Sequence, residues 1–592
     1  MQRRLLWLII LILVLVAPLW STRVSAEYRT IEVEGLKITI DSDWGLRTAP
    51  GYLPVRFDIT NLADAREIEI VGNGTRFIRA MRGTQPGGVR VHQQLRMARG
   101  DRVRLTFPVP IFADNENFWF AVQEGGRNLE TFHYTGFQSR LAATDAAAII
   151  VADPSSSFGT MATTWTRTVS TASSPSGYSA IRPGSALDVV LSPARMPSNW
   201  LGYTSIRAVV IGPSEWQQLD VAQKSAVVTW IACGGVLLLV DGDVNAILPG
   251  TIAATPDASA PSSHQYFFGR IHQVAAGSIA AHGLAAALTD AEKIEDAEFL
   301  LPANRTPDWG KIVSRGFRLP IPGVGGIPAR AYLLILVVFS LLIGPANYWF
   351  LWRRRQHVLF VLTAPLISAA FILLLAGYVV AGEGLGVRGR AMTLTLLDQA
   401  RKQAATRASM SLYAAGMTPA GGLRFARDVA VYPIGPDGNG VRDSQVMDLT
   451  EAQRFSAGVI QARAPANLEQ LTFRPARERL SFTREGNSVT VVNGLDVMVK
   501  TLVYRDGSAR YVLERPLPPG GKDVLKVGSP NARLDVPADL PEFPDVEDAF
   551  TYRSSSAYVA VLDRSPFWDA GVSNVEERGS LHVLLGWPEG QR

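Results

Sequence analysis

The chain contains two uncharged apolar stretches, AYLLILVVFSLLIGPANYWFLW (Ala331 to Trp352) and VLFVLTAPLISAAFILLLAGYVVA (Val358 to Ala381). At 1.5 Å of rise per residue, a helix of either length crosses about 30 Å of hydrocarbon. The intervening Arg353 to His357 (RRRQH) allows only a tight hairpin, and dense positive charge in a short loop favours the cytoplasmic side. The pattern predicts two transmembrane helices, 331–352 and 358–381. The alternative is a pair of buried core helices in a soluble domain.

The N-terminus has the order of a secretory signal peptide. Arg3-Arg4 precedes an apolar run from Leu5 to Trp20, and Val24-Ser25-Ala26 supplies small residues for cleavage. We therefore predict a signal peptide over residues 1–26. The apolar run is slightly long and Arg23 lies close to the cleavage site, so an uncleaved anchor is the alternative. Either way, the segments on both sides of the hairpin are predicted to lie outside the cytoplasm.

Composition narrows the class of protein. A length of 592 residues suits about three or four domains. Apolar residues make up 47% and charged residues 19%, which indicates a minority of membrane-embedded sequence. The 58 basic and 53 acidic residues are spread along the chain, so we predict no nucleic-acid partner. The only cysteine, Cys233, excludes an intrachain disulfide and a multi-cysteine metal site.

Residues 27–140 are predicted to form an antiparallel β-sandwich. In GYLPVRFDITN, Val55, Phe57 and Ile59 alternate with polar residues and give one buried face. Seven such runs are separated by Gly, Pro, Asn and Asp turns: Thr30 to Ile40, Tyr52 to Thr60, Glu67 to Val71, Val89 to Leu95, Arg102 to Val109, Phe118 to Val122 and Leu129 to Phe132. An immunoglobulin-like spacer or binding module fits this pattern.

Residues 146–315 are predicted to form a doubly wound α/β domain. Short apolar runs are typical of parallel strands covered on both faces: Ala148 to Ala152, Leu187 to Leu191, Ala208 to Ile211 and Val236 to Val240. Leu219 to Cys233 has apolar residues at helical spacing, and Gly234-Gly235 ends it. Strands that alternate with helices build a mostly parallel sheet.

The remaining sequence divides into a linker and a second β-rich domain. Residues 316–330 are rich in Pro and Gly and predict a short articulated linker before the first membrane helix. Residues 385–592 return to strand-like alternation, with a turn at Pro518 to Gly521. We predict that 385–592 form a C-terminal β-rich extracytoplasmic domain.

Three aspartates are the only ligand-site candidates in the sequence, and they are weak ones. Asp153 follows the first α/β strand, while Asp241 and Asp243 follow the fourth, at the sheet edge where such folds bind ligands. Asp-Gly-Asp has carboxylates suited to a divalent cation, but Asp and Gly are also the ordinary residues of a turn. The serines at 155–157 match no phosphate-loop motif. No cofactor and no metal site are predicted.

Cys233 is the one candidate nucleophile, and the order of the helix and strand around it disfavours catalysis. A catalytic elbow needs a strand, a strained turn and then a helix, so that the helix N-terminus favours the thiolate. Here the helix comes first and the strand follows, which puts the thiol near the negative end of the helix. The seven histidines show no HExxH pattern, so a zinc hydrolase site is not predicted. We predict no catalytic residue.

Two segments carry a family resemblance: VVIGPSEWQQLDVAQKSAVVTWIACGGVLLLVDGD (209–243) and IGPANYWFLWRRRQHVLFVLTAPL (343–366). With the order of parts, they resemble generally uncharacterised bacterial membrane proteins that carry a class I glutamine amidotransferase-like domain outside the membrane. Active amidotransferases use a GxCxG elbow and a later His/Glu pair, and neither occurs here, so the resemblance implies the fold without the activity. Similar proteins are often encoded beside MoxR-type ATPases and von Willebrand A-domain membrane proteins, which implies a role in envelope assembly.

These features together predict a non-enzymatic protein of the bacterial inner membrane with its soluble domains on the periplasmic side. Its expected partners are the lipid bilayer and an envelope protein or surface polymer. The alternatives are an extracytoplasmic hydrolase or amidotransferase-like enzyme with a non-standard site, and a sensor that passes a ligand signal through the hairpin. The five-residue loop leaves little surface for signalling.

Overall fold

The computed structural model describes most of the chain. The described residues are 28–41, 51–80, 83–111, 117–134, 148–153, 155–161, 189–206, 208–248, 252–253, 263–282, 284, 287, 319–324, 329–383, 386–416, 418–434, 445–486, 488–528 and 556–589. The predicted signal peptide, residues 1–26, lies outside them. Strands predominate, as the sequence predicts, and two apolar helices accompany them.

The chain folds into two compact units. The first contains Met1–Lys311 together with Arg442–Glu451, and the second contains Ile312–Val441 and Ala452–Arg592. The first unit thus includes a short segment that the sequence groups with the C-terminal β-rich region.

The N-terminal part of the first unit is built from eight strands in two facing sheets. They are β1 (Tyr28–Val33), β2 (Leu36–Asp41), β3 (Gly51–Asn61), β4 (Arg66–Ala80), β5 (Gly83–Met97), β6 (Arg102–Ile111), β7 (Asn117–Glu124) and β8 (Arg127–Tyr134). One sheet has the order β1-β2-β3-β6, and the other contains β5-β4-β7-β8. The Phe120 ring of the second sheet packs edge-on against Phe57 and Phe107 of the first, with centroids 6.0 and 6.5 Å apart. This arrangement is the predicted β-sandwich.

The run Thr30 to Ile40, predicted as one strand, is a hairpin of β1 and β2. Its turn residues Glu34 and Gly35 both have positive φ, 45° and 75°. Two such residues in succession give the twist that a two-residue hairpin needs. The prediction was wrong at this point because the residues on both sides of Glu34-Gly35 alternate in the same way.

A mixed sheet of seven strands follows in the first unit. Its strands are β9 (Ala148–Val151), β10 (Val189–Leu191), β11 (Ala208–Ile211), β12 (Val236–Val240), β13 (Ile252–Ala253), β14 (Ser263–Tyr266) and β15 (Gly269–Val274). The order is β10-β9-β11-β12-β15-β14-β13, and its first five strands are parallel. The helices are α1 (Pro213–Gln218), α2 (Val221–Ala232), α3 (Val244–Ile247) and α4 (Ala276–His282), with 3-10 turns at Pro193–Arg195 and Trp200–Tyr203. The four predicted strands and the predicted helix are therefore present. The first two strands and the helix are shorter than predicted.

The sandwich and the parallel sheet are joined through strand β3 and the turn after Trp200. The backbone N–H of Tyr52 donates to Oγ1 of Thr204 (2.9 Å), and the hydroxyl of Ser205 donates to the carbonyl of Tyr52 (3.1 Å). Asp41 accepts hydrogen bonds from Arg56 and from Arg195 (2.9 Å for Arg195). These buried polar groups therefore have partners across the junction, which a loosely tethered pair of domains would not provide.

The second unit begins with a helical hairpin. Its first arm is α5 (Ala329–Leu341), a π-helical turn at Leu342–Ala346 and α6 (Asn347–Arg353), and its second arm is a 3-10 turn at His357–Leu359 followed by α7 (Phe360–Glu383). Leu333–Arg353 and His357–Leu375 are long and apolar enough to cross a membrane. The side-chain amide of Asn347 donates to Oγ1 of Thr363 (2.9 Å), which links the two arms by a polar contact.

The described residues after the hairpin contribute fifteen strands. They are β16 (Val387–Asp398), β17 (Gln403–Ala414), β18 (Leu423–Phe425), β19 (Ala430–Ile434), β20 (Gln445–Asp448), β21 (Gln453–Ala457), β22 (Pro465–Pro475), β23 (Arg479–Glu485), β24 (Ser488–Gly494), β25 (Val499–Asp506), β26 (Ala509–Val512), β27 (Lys522–Val527), β28 (Ser556–Leu562), β29 (Glu576–Glu577) and β30 (Leu581–Trp587). Most join one sheet in the order β19-β22-β17-β16-β30-β28-β25-β26-β27-β24-β23, with β29 beside β16. Strands β18 and β21 pair with each other.

Strand β20 belongs to the first unit. Gln445 to Asp448 pair in parallel with Val89 to His92 of β5. The backbone N–H of Leu449 then donates to the carbonyl of His92 (2.8 Å), and that of Gln94 donates to Oγ1 of Thr450 (3.1 Å). Residues from beyond the hairpin thus extend a sheet that begins before it.

Residues 319–324 of the predicted linker belong to the second unit and pack within it. Ile321 is buried with Tyr413 and Ala415 at the end of β17. The guanidinium of Arg390, 2% exposed, donates to the carbonyls of Pro320 (2.9 Å) and Gly579 (2.8 Å). This part of the linker is therefore docked rather than articulated.

Met447, fully buried on β20, provides a test of the strand insertion. Met447→Ala should lower the free energy of unfolding of the first unit by about 2–5 kcal/mol, because the shorter side chain leaves a cavity there. Hydrogen exchange measured by mass spectrometry should show faster exchange in peptides that cover Val89 to Val91. Val524→Ala, at a half-exposed position of β27, is the matched control. Unchanged exchange in β5 would contradict the pairing.

Candidate functional site

Polar residues follow the carboxyl ends of β9 and β11 at one edge of the parallel sheet. Strand β9 lies between β10 and β11, so the strand order changes direction at this point. Ligands of open α/β sheets bind at such a position. The loop after β9 carries Asp153, Ser155 and Ser156, and the loop after β11 begins with Gly212 and leads into α1.

Asp153 makes an Asx turn at this edge. Its Oδ1 accepts hydrogen bonds from the backbone N–H of Ser155 (2.9 Å) and from the Ser155 hydroxyl (2.7 Å). These two bonds, the backbone one first, lower the pKa of the Asp153 carboxyl from its usual value. The carboxylate is therefore ionised and held by its own loop, as the ordinary turn interpretation of this residue expects.

The buried acid at this edge is Glu215, which the sequence analysis did not select. Glu215 is fully buried in the first turn of α1. Its Oε1 accepts from the hydroxyl of Ser156 (2.7 Å), and its Oε2 accepts from the hydroxyl of Ser214 (2.6 Å). A carboxylate in the first helical turn is favoured by the helix dipole. The sequence signal was Gly-Pro-Ser-Glu directly after a buried strand, which is the start of a helix.

The two remaining candidates act as helix caps. Asp241 has a positive φ of 51°, and its Oδ1 accepts from the backbone N–H of Ala276 (3.0 Å) at the start of α4. Asp243 is the N-cap of α3 and accepts from the backbone N–H of Asn245 (2.9 Å). Asp153 and Asp241 follow strands separated by β11, which puts their backbones about 10 Å apart. No group of three or more metal-binding side chains occurs within the described part of the chain.

Cys233 lies where the sequence predicts, at the C-terminal end of α2. It is the C-cap residue, 1% exposed, and its backbone N–H donates to the carbonyl of Thr229 (3.0 Å). Gly234 then takes a φ of 111° and the chain continues into β12. The adjacent Trp230 is fully buried. The thiol therefore lies at the negative end of a helix inside the core, as expected for a structural cysteine.

His272 of β15 is a buried histidine that the sequence analysis grouped with the others. It is 1% exposed, and neither ring nitrogen has a hydrogen-bond partner among the residues that the structure describes. Burial, followed by the nearby charge of Arg270 and the proximity of His264, lowers the pKa of His272 to about 3. The imidazole is therefore neutral in the folded protein at every pH above that value.

A second buried histidine, His582, bridges strands of the second unit. Its Nδ1 lies 3.0 Å from Oγ1 of Thr393, and its Nε2 lies 2.9 Å from Oε2 of Glu577. Burial acts to raise the pKa of Glu577, but hydrogen bonds, that of His582 first, together with the charge of Lys500 outweigh it and lower that pKa. The hydroxyl, imidazole and carboxylate have the order of a catalytic relay. Thr393 and His582 are both fully buried, and the chain of bonds ties β16, β29 and β30 together.

No known protein-family model matches this chain, and no curated protein sequence matches it either.

His272 generates a pH prediction for the first unit. In the unfolded chain the imidazole takes up a proton below about pH 6.5, whereas in the folded protein it does so only near pH 3. Stability should therefore fall as the pH drops from 6.5 towards 3, by up to about 1.4 kcal/mol per pH unit from this group. His272→Leu should flatten that dependence, as measured by hydrogen exchange of Val236 to Val240 at pH 7 and pH 5. The exposed His282, changed to Gln, is the control, and equal slopes in the wild type and His272→Leu would contradict the assignment.

Proposed function

We propose that this chain is a membrane-anchored protein of the bacterial envelope whose two large units bind an envelope protein or a surface polymer. The hairpin of α5 to α7 carries the proposal. Its exposed apolar side chains include Leu334, Leu362 and Leu373, which are 64–73% exposed. So much contiguous apolar surface is stable only in lipid or against other apolar helices.

The insertion of β20 supports an arrangement with both units on one side of the membrane. Residues before the hairpin and residues 442–451 after it belong to the same unit. A chain that crosses the membrane twice returns to the side from which it started. The short basic turn at Arg353 to Arg355 then lies on the opposite, cytoplasmic side.

Binding is favoured over catalysis by the way in which the polar groups of the parallel sheet are used. Asp153 holds its own turn, Asp241 and Asp243 cap helices, and Cys233 lies at a helix end. The five parallel strands, numbered among themselves along the chain, have the order 2-1-3-4-5, which is compatible with a degenerate amidotransferase-like domain. In that proposal the fold serves as a scaffold for assembly of the envelope.

The second candidate is an extracytoplasmic hydrolase with a non-standard site. The contact between Ser156 and the buried Glu215, at the point where the strand order changes direction, is the observation that favours it. In this alternative Ser156→Ala or Glu215→Gln would accumulate normally and behave as a null. In the binding proposal either variant complements a deletion strain whenever it accumulates at the normal level.

Cysteine labelling tests the arrangement in the membrane. In a Cys233→Ala background, an impermeant maleimide should label Arg96→Cys and Arg515→Cys in cells whose outer membrane has been opened, because both side chains are over 80% exposed. Gln356→Cys should react only after the inner membrane is permeabilised. Labelling of Gln356→Cys in intact spheroplasts, or no labelling at either other site, would refute the arrangement.

Site-specific photocrosslinking tests the binding function. A photoreactive residue at position 96 or 515 should give a discrete adduct with one envelope protein or a ladder with a surface polymer. The same residue at position 356 is the matched control and should give neither product. Adducts with lipid alone from positions 96 and 515 would contradict the proposal.

A further inference from the structure

The hairpin reverses through a turn whose backbone geometry is well defined. Helix α6 ends at Arg353, and Arg355 has a φ of 56°, in the left-handed region. The backbone N–H of Gln356 donates to the carbonyl of Leu351 (3.0 Å), and that of Arg355 donates to the carbonyl of Trp352 (3.0 Å). These two bonds are the Schellman motif, and Arg355 occupies the position of its left-handed residue.

An arginine at this position runs against the local backbone preference. The left-handed region brings Cβ close to the carbonyl oxygen, and glycine avoids this contact. Arg355 therefore adds strain where a glycine would not. Departures of this kind occur where a side chain is needed for function. A glycine in place of Arg355 would remove the positive charge.

The neighbouring side chains form a basic and aromatic collar, defined as Tyr348, Trp349, Phe350 and Trp352 with Arg353, Arg354 and Arg355. The guanidinium of Arg353 lies 5.5 Å from the centre of the Trp349 ring, and that of Arg354 lies 4.5 Å from the centre of the Phe350 ring. The three arginines are exposed, and no carboxylate pairs with them among the residues that the structure describes. Ring stacking holds two of the guanidinium groups while their N–H donors stay available.

We infer that the collar binds the phosphate headgroups of anionic phospholipids in the membrane leaflet at the turn. This inference rests on the proposed membrane anchor. Exposed Tyr and Trp rings at the end of a membrane helix lie at headgroup depth, so the arginines of the next turn meet the phosphates. Guanidinium groups pair with phosphate oxygens in a bidentate way. A reversal of so few residues does not project beyond the headgroups, which disfavours a soluble macromolecule as the partner.

The test uses the full-length protein reconstituted into phosphatidylcholine vesicles that contain a minority of phosphatidylglycerol. Spin-labelled phosphatidylglycerol and spin-labelled phosphatidylcholine report the lipid held at the protein surface by electron paramagnetic resonance. The wild type should prefer phosphatidylglycerol, and each arginine removed should reduce that preference by about fivefold at low salt. Raising the salt concentration should weaken the preference in the wild type.

Arg355→Gly separates charge from backbone structure. It should lower the preference for phosphatidylglycerol while leaving the thermal stability of the hairpin equal or higher, because glycine suits the left-handed position. Arg355→Lys should keep the preference, and Arg96→Gln, at an exposed arginine of the first unit, is the matched control. Equal retention of both lipids by the wild type, or a preference unchanged in the double variant Arg354→Gln/Arg355→Gly, would overturn the lipid site.

Vesicle flotation of the same samples distinguishes the two proposals. Protein that floats with the vesicles and shows no preference overturns the lipid site alone. Protein that does not float overturns the membrane anchor as well. If the double variant keeps the lipid preference but loses its function in cells, the collar binds a cytoplasmic protein instead. That result overturns the inference.

Discussion

The main-chain hydrogen bonds between β5 and β20 constrain the path of the chain, because they join segments on either side of the hairpin in the sequence. A strand whose N–H and C=O groups pair with a sheet edge cannot be moved without leaving those groups unsatisfied. Because β5 precedes the hairpin and β20 follows it, the chain returns, in the proposed membrane arrangement, to the side from which it starts. That arrangement needs an even number of membrane crossings, which the two apolar helices of the hairpin are long enough to provide.

Buried polar groups join strand β16 of the second unit to the residues that precede the hairpin. Arg390 follows the hairpin in sequence, and the carbonyl of Pro320 that it contacts precedes the hairpin. A guanidinium at 2% exposure that lost this partner would keep the cost of desolvation without the hydrogen bond. Arg390 thus joins the segment that precedes the hairpin to strand β16, which follows it.

The same physical rule accounts for the parallel sheet edge. Asp153, Asp241 and Asp243 lie where a ligand site of an α/β fold would lie, and each carboxylate accepts hydrogen bonds from a nearby backbone N–H. Groups used in this way stabilise turns and helix starts. Glu215 differs, because it is fully buried and its partners are the hydroxyl groups of Ser156, in the loop after β9, and of Ser214, in α1. A test for chemistry at this sheet should therefore begin with Glu215 and Ser156 rather than with the aspartates.

The sequence by itself determined the features that depend on local pattern. Uncharged length predicts the hairpin, alternation predicts the strands of the sandwich, and apolar runs such as Val236 to Val240 predict the parallel strands. The order of helix and strand around Cys233 also predicts its position at a packed helix end. Each of these follows from residues close together in the chain, because the period of a strand or helix is a local property.

Only the tertiary structure decided which distant segments meet. Nothing near Gln445 to Asp448 indicates that these residues pair with β5, because a short strand carries no mark of its partner. The bonds that join Thr393 and Glu577 to His582, and those that join Ser156 to Glu215, likewise connect residues that no spacing rule relates. Contacts of this kind are set by burial and by the satisfaction of polar groups in three dimensions. A linear pattern records only which residues are apolar and which are polar.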